Sequence, residues 1–429
     1  MTKNLGIATD LYQLTMAAGY LANGRQHDVA SFELFVRKFP ENRSYLVLAG
    51  IQQALEYLQN LCFTEAEIAY LKSLPVFAQV SEDFFVYLKN FRFSGEVWAM
   101  PEGTIFFPNE PVLRVTAPLI EAQIVETFLL STINFQTMIA SKAARIVEAA
   151  QGKNVVEFGT RRAHGMDAGL HAARAAFIAG CVGTSNVEAG MTFGIPVFGT
   201  AAHSWVMSFA DEFDSFKSFH EVFPDHTTLL IDTYDTIKAA KLATKIGASL
   251  KGVRIDSGDL LLQANQVREI LDEAGLQATK IMVSGDLDEI KIAELLANNA
   301  PIDSFGVGTD LSTSRDAPAL AGVYKLVELN GEPKQKLSEG KITIPYCKQV
   351  WRKYDANGLM MGDDVKKFSS ENGEGKPLLQ LVMKKGEAIK PHPSLLELQI
   401  YCQQQMKALP EKHDSYPVNF MYDELLVHR

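Results

Sequence analysis

Apolar and polar positions follow two rhythms along this chain. Over residues 29–39 they alternate, as in a strand with one buried face, and 45–49 fits a second strand or the lead into a helix. Residues 52–61 carry helical spacing, and three short β candidates, 93–100, 104–107 and 112–116, are set apart by Gly and Pro. This stretch predicts an antiparallel or mixed sheet with helices on one face. Residues 119–150 predict one long helix or two broken ones.

The rhythm changes near residue 154. Seven apolar runs, 154–158, 181–184, 197–199, 228–231, 252–255, 280–283 and 303–307, end in small or charged residues and lead into helical pattern. After Asp259, Leu260, Ala264, Val267 and Leu271 line one helix face. Strand–helix units recurring about every 25 residues imply a parallel sheet. Six or seven such units favour a barrel of the (β/α)8 kind, with a doubly wound open sheet as the alternative. The α/β chain is thus read in three regions: 1–125, 126–340 with the barrel, and 341–429. The last is polar and β-poor, and is expected to complete the N-terminal sheet or cap the barrel.

Composition adds exclusions. Of 429 residues 47% are hydrophobic and 21% charged, enough for a large core. A net charge of −10 argues against general binding to nucleic acid or anionic membrane, while leaving room for a locally basic pocket. The four cysteines form no Cys-x-x-Cys, the N-terminus has no signal-like apolar core, and no run reaches the roughly 18 apolar residues of a membrane span. A soluble, reduced, cytoplasmic protein is expected.

In a parallel barrel, chemistry lies beyond the carboxyl ends of the strands. After the first run come Arg161 and Arg162, which can clamp an anion or simply pair with Glu157. After the second, Thr184, Ser185 and Asn186 can donate to an anion or cap a helix. His203 follows the third and can act as acid, base, nucleophile or structural group; no His-x-x-x-His spacing supports zinc. Carboxylates end the next three: Asp232, Asp256 and Asp286. They can hold ribose hydroxyls, a Mg²⁺ bridging a diphosphate, or a developing cation, whereas Asp259 and Asp288 read as helix caps. Arg254 and Asp256, two apart on one strand, share a face, and a charged pair facing a barrel interior is costly unless used. Gly306, Gly308 and Thr309 end the seventh run as a candidate phosphate cradle. Together these residues suit a phosphorylated sugar with a metal and a small planar anion.

The segments 9–16 (Thr-Asp-Leu-Tyr-Gln-Leu-Thr-Met), 158–162, 199–204, 254–259, 284–286 and 305–309 together resemble nicotinate phosphoribosyltransferase, in order, from residue 9 to about 352. The resemblance implies an N-terminal α/β sandwich beside an irregular, TIM-like α/β barrel. It also implies ATP-coupled synthesis of nicotinate mononucleotide from nicotinate and 5-phosphoribosyl 1-pyrophosphate (PRPP), with Mg²⁺, through a phosphohistidine, in a homodimer. Tyr12 resembles the aromatic that reaches the neighbouring subunit's pocket, and Phe158 the opposite stacking face. Thr200 and Arg254 resemble nicotinate ligands. Arg161, Asp256, Gly285, Asp286, Gly306, Gly308 and Thr309 resemble ribose and phosphate contacts, joined by Asp232 from its strand end, and His203 resembles the phosphorylated histidine. In the late loop, Tyr346 stands where family members often have Gly.

Two other readings are open: a nicotinamide-using relative and a non-catalytic phosphoribosyl-ligand sensor. The first would favour an acid near the ring, where this chain has the neutral Ser185. Intact Arg254, Asp256 and His203 argue against the second. A quinolinate-using relative fits less well, since its reaction needs no ATP and gives His203 no phosphorylation role.

Overall fold

The computed structural model of the chain describes residues 5–336, 343–368, 373–411 and 416–421. It divides into two compact units, Met1–Met138 with Ala319–Arg429, and Ile139–Pro318.

The first unit is built on a seven-stranded antiparallel sheet. Its order is Glu332–Pro333, Gly322–Leu329, Val29–Val36, Leu113–Pro118, Glu96–Ala99, Gln380–Lys384, Glu387–Ala388. The predicted runs 29–39, 93–100 and 112–116 lie here. The run 104–107 instead gives Ile105–Phe106, which pairs with Leu46–Val47 in a separate ribbon. Residues 119–150 form two helices, Leu119–Ile124 and Glu126–Ala149.

The late chain corrects the β-poor expectation. Lys348–Tyr354 and Met360–Lys367 are central strands of a four-stranded sheet flanked by Lys376–Pro377 and Val418–Phe420. Their alternation is hidden because Arg352, Asp363 and Asp364, polar by type, are buried. Arg352 and Asp363 satisfy each other at 2.6 Å, so a strand face can carry them at a tolerable cost. Of the late loop, Lys341 and Ile342 lie outside the described residues, as does Asn372 of the 372–376 loop. Tyr346 takes a left-handed φ of 64°, a conformation that Gly adopts more readily than any other residue. The Lys367 ammonium sits 3.9 Å from its ring centroid.

The second unit is an α/β layer on six parallel strands, in the order Gly183–Thr184, Asn154–Glu157, Ser304–Val307, Lys280–Val283, Gly252–Ile255, Thr228–Leu230. Strands of two to four residues, largely buried, suit a parallel sheet covered by helices. In the helix Leu260–Glu273 the buried residues are Ala264, Val267 and Leu271, three of the four expected. The third predicted run, 197–199, yields no strand. Val197 makes only a bridge to Thr184, and Pro196, lacking an N–H, contributes its carbonyl alone. No ladder among the described residues joins this segment to Thr228–Leu230. Six parallel strands and the bridge at Val197 thus carry the expected α/β class, and among the described residues no ladder closes them into a complete barrel.

Among the described residues no helix is long and apolar enough to cross a membrane. All four cysteines are free.

Candidate active site

Strand pleating sets the site. In the second unit, positions 154 and 156 of Asn154–Glu157 with Phe158 just beyond it, 228 of Thr228–Leu230, 252 of Gly252–Ile255, 280 and 282 of Lys280–Val283 and 304 of Ser304–Val307 line one cavity of about 390 Å³. Phe158, Gly199 and Thr200 line it near the carboxyl ends of the strands.

Beside Phe158 and Thr200, Arg254 is held at three points. Its Nε donates to Ser284 Oγ at 2.8 Å, Nη1 to Thr200 Oγ1 at 2.9 Å and Nη2 to Asp256 Oδ1 at 2.6 Å. Its guanidinium carbon lies 5.5 Å from the centroid of the Phe158 ring. A guanidinium has five N–H donors, so two, one on each Nη, remain without a partner among the described residues.

Asp256 also accepts from Ser284 Oγ. Burial works to raise its pKa, but the Ser284 hydroxyl and the Arg254 guanidinium outweigh it, with His203 adding to their effect, and hold the carboxyl below the usual aspartate range. Its second oxygen lies 3.9 Å from His203 Nε2. His203 Nδ1 meets Thr233 Oγ1 at 3.1 Å, so the ring is oriented through Nδ1 and presents Nε2 toward Asp256. Asp232 Oδ2 accepts from the Asp256 backbone N–H (3.0 Å) and Ser257 Oγ (2.7 Å). Its Oδ1 is buried with no hydrogen-bond partner among the described residues.

The glycines are explained by close approach. Gly285 has φ +98°, and a Cβ there would lie 2.0 Å from the Asp256 carbonyl oxygen. A Cβ at Gly306 would lie 2.6 Å from the Phe158 ring, so a side chain there displaces the aromatic. Gly308 and Thr309 follow Gly306 at the turn into the short helix Thr309–Thr313. Asp286, beside Gly285, holds φ 45°, an uncommon conformation for a non-glycine residue.

Other expected residues lie around this centre. Arg161 and Arg162 are exposed in the turn after the first strand. Ser185 is half-buried at a strand end and is not among the described residues lining the cavity, while Asn186 caps the next helix by accepting from Ala189 N at 2.9 Å. Asp259 and Asp288 are caps, as their sequence context suggested. Tyr12 belongs to the first unit, in the helix Leu11–Ala22, and is 48% exposed.

Ser284 and Thr233 had no role assigned from the sequence, and Glu157 only that of a partner for Arg161 and Arg162. Ser284 was within reach, because positions 280, 282 and 284 share the strand face that Met282 lines. Glu157 is fully buried and accepts from Gly159 N, Thr184 Oγ1 (2.6 Å) and Ser312 Oγ (3.0 Å), tying three strand-end loops together. Burial raises its pKa, and these donors counter the rise.

A parallel sheet that gathers a tethered arginine, carboxylates, an oriented imidazole and glycine turns at its strand ends defines an α/β enzyme. Comparison with known proteins gives the family. The N-terminal domain of nicotinate phosphoribosyltransferase matches residues 7–134, the nicotinate phosphoribosyltransferase family matches 154–349, and the C-terminal domain matches 362–418. A nicotinate phosphoribosyltransferase of Mycobacterium tuberculosis is 46% identical over 409 residues, covering 94% of this chain and 87% of that protein. One of Bacillus subtilis is 40% identical over 462 residues, covering 98% and 94%. The crystal structure of human nicotinic acid phosphoribosyltransferase matches with a TM-score of 0.86 at 28% identity, covering 97% and 98%. The chain belongs to the nicotinate phosphoribosyltransferase family.

Proposed function

We propose that this enzyme joins nicotinate to PRPP, forming nicotinate mononucleotide and pyrophosphate for NAD biosynthesis, in the cytoplasm, and couples the reaction to ATP hydrolysis through phosphorylation of His203. The observation that carries the substrate assignment is Arg254, held at three points beside Phe158 with two N–H groups left over. A ring bearing a carboxylate matches that pair: the ring against Phe158, the carboxylate on those N–H groups. Nicotinamide offers no anion to it.

The pyridine nitrogen attacks C1 of the ribose as the C1–O bond to pyrophosphate breaks. The nitrogen lone pair is already available, so no base is needed. Asp256, kept ionised by its neighbours, stabilises the oxocarbenium-like centre. Holding the ring against C1 supplies much of the remaining acceleration. The loops at Gly285–Asp286 and Gly308–Thr309, with Arg161, hold phosphate, and Asp232 serves the ribose or pyrophosphate end.

Mg²⁺ suits this donor set. Among the described residues no group of three or more His, Cys, Asp or Glu side chains could hold a metal, and Mg²⁺ takes one or two carboxylates with substrate phosphates and water. The unpartnered Oδ1 of Asp232 is the fitting ligand. Mg²⁺ bound with the pyrophosphate would neutralise charge on the leaving group.

The deciding experiment is a turnover assay offering nicotinate, nicotinamide and quinolinate, each with and without ATP. Nicotinate should be preferred, and ATP should raise its turnover. Comparable kcat/KM for nicotinamide would overturn the substrate assignment.

His203 carries a second prediction. Its Nδ1 is engaged by Thr233 and its side chain is 41% exposed, so Nε2 is open to the γ-phosphate of ATP. Incubation with γ-labelled ATP should give an acid-labile, base-stable label that His203→Ala lacks, while that variant keeps a slow ATP-independent transfer. A fully labelled His203→Ala protein would move the phosphorylation elsewhere.

The exposed Tyr12 supports a homodimer in which this ring completes the partner's site. Mixing inactive Tyr12→Ala with inactive Asp256→Ala protein should then restore part of the activity, because some shared sites carry neither lesion. Exchanged heterodimers that stay inactive would refute the sharing.

A further inference from the structure

Lys142 lies in the helix Glu126–Ala149 and is 2% exposed. Its ammonium contacts Glu289 at 2.5 Å, Asp316 at 3.1 Å and Asp310 at 4.0 Å. Arg145, one turn along, contacts Glu289 at 3.0 Å and Asp316 at 3.3 Å, and Arg315 reaches Asp310 at 3.6 Å. Three carboxylates thus face three cations, and the cluster is neutral with every group ionised.

The carboxylates come from two loops. Glu289 begins the helix that follows Gly285–Asp286, Asp310 follows Gly308–Thr309 in the short helix Thr309–Thr313, and Asp316 lies two residues past Ser314, which caps the carboxyl end of that helix. The strands feeding these loops are neighbours, paired at Val283 and Phe305. Asp286, beside Gly285, holds a φ of 45°, and Ser314, capping the carboxyl end of the short helix after Gly308, one of 44°. Such conformations persist only where the surroundings over-determine them. Burying an ammonium is costly, and apolar packing could fill the same volume at no loss of stability, so the value of this cation lies in the geometry it fixes.

We propose that Lys142 is a positioning residue for the phosphorylated substrate: by binding carboxylates from both loops, its ammonium sets the spacing at which they grip phosphate. This rests on the reading above that Gly285–Asp286 and Gly308–Thr309 hold PRPP. Lys142 itself touches no substrate.

The test compares KM for PRPP, KM for nicotinate and kcat in the full-length enzyme. Lys142→Met should raise KM for PRPP roughly 3- to 30-fold, with KM for nicotinate nearly unchanged. Lys142→Arg, which keeps the charge, should restore most of the PRPP affinity. Asp316→Asn removes one partner and leaves the buried cation in place, so it reads the same effect, smaller, if Lys142→Met fails to fold. Thr309→Val is measured alongside. If Thr309→Val weakens PRPP and folded Lys142→Met does not, or if Lys142→Met weakens both substrates equally, the positioning role is overturned. If the Asp316→Asn arm is the only one that folds, an unchanged KM for PRPP there overturns it equally. If neither Thr309→Val nor Lys142→Met affects PRPP, the phosphate-loop reading falls with it.

Discussion

Replacing Arg254 with alanine is expected to lower kcat/KM for nicotinate by roughly 2–5 kcal/mol of transition-state binding, a factor of about 30 to several thousand. The loss follows from the geometry. Ser284, Thr200 and Asp256 lock the guanidinium before any ligand arrives, so a carboxylate meets two preoriented donors on a largely buried side chain. Arg254 also steadies Asp256, and loss of that contact would slow transfer to any ring. Measuring nicotinamide beside nicotinate separates the two effects. The carboxylate contact predicts a large loss for nicotinate and a small one for nicotinamide. Equal losses would assign the effect to Asp256. Arg254→Lys should recover only part, because an ammonium cannot present the fork.

What the sequence revealed of this site has a physical pattern. Arg254 and Asp256 were legible because a strand repeats every two residues, so a charged pair at that spacing on an otherwise apolar run stands out. Asp259 and Asp288 were legible as caps because capping is local, acting within three residues. Glu157 was not, because its partners Thr184 and Ser312 stand 27 and 155 residues away. Lys142 is similar: its nearest carboxylate is 147 residues distant, and nothing in the helical pattern around it marks the position as buried. The six parallel strands were visible as apolar runs with small or charged ends. Whether their edges met was not, because closure depends on a ladder that Pro196 and two flanking glycines leave as a single bridge. The late strands were hidden for the opposite reason. Arg352 and Asp363 are inward-facing residues that look outward by type.

That last pair sets the largest expected effect on stability. Arg352 is fully buried. It donates to Asp363 from Nε at 2.9 Å and Nη2 at 2.6 Å, and from Nη1 to the Ile105 carbonyl at 2.8 Å. Glu110, also fully buried, lies 4.0 Å from Nη2. Burial and the facing Asp363 hold the Glu110 carboxyl well above the usual range, so its neutral form is favoured, and Asp363 is the carboxylate that Arg352 grips with two donors. Arg352→Leu would strand that carboxylate without a cation, and should destabilise the first unit by about 3–5 kcal/mol. The sign of the pH dependence follows. A buried carboxylate with no cation has a folded pKa above its unfolded value. Its protonated form contributes stability that is present below the unfolded pKa and lost as pH rises through the folded one. The deficit of Arg352→Leu relative to the parent should therefore grow between about pH 5 and about pH 8. Adding Asp363→Leu removes the stranded charge and should recover much of the loss, a strongly non-additive pair. Urea unfolding of the parent and both variants across that pH range is the measurement. A pH-independent deficit, or a double variant as unstable as the sum of its singles, would show that packing rather than the buried charge pair holds this sheet together.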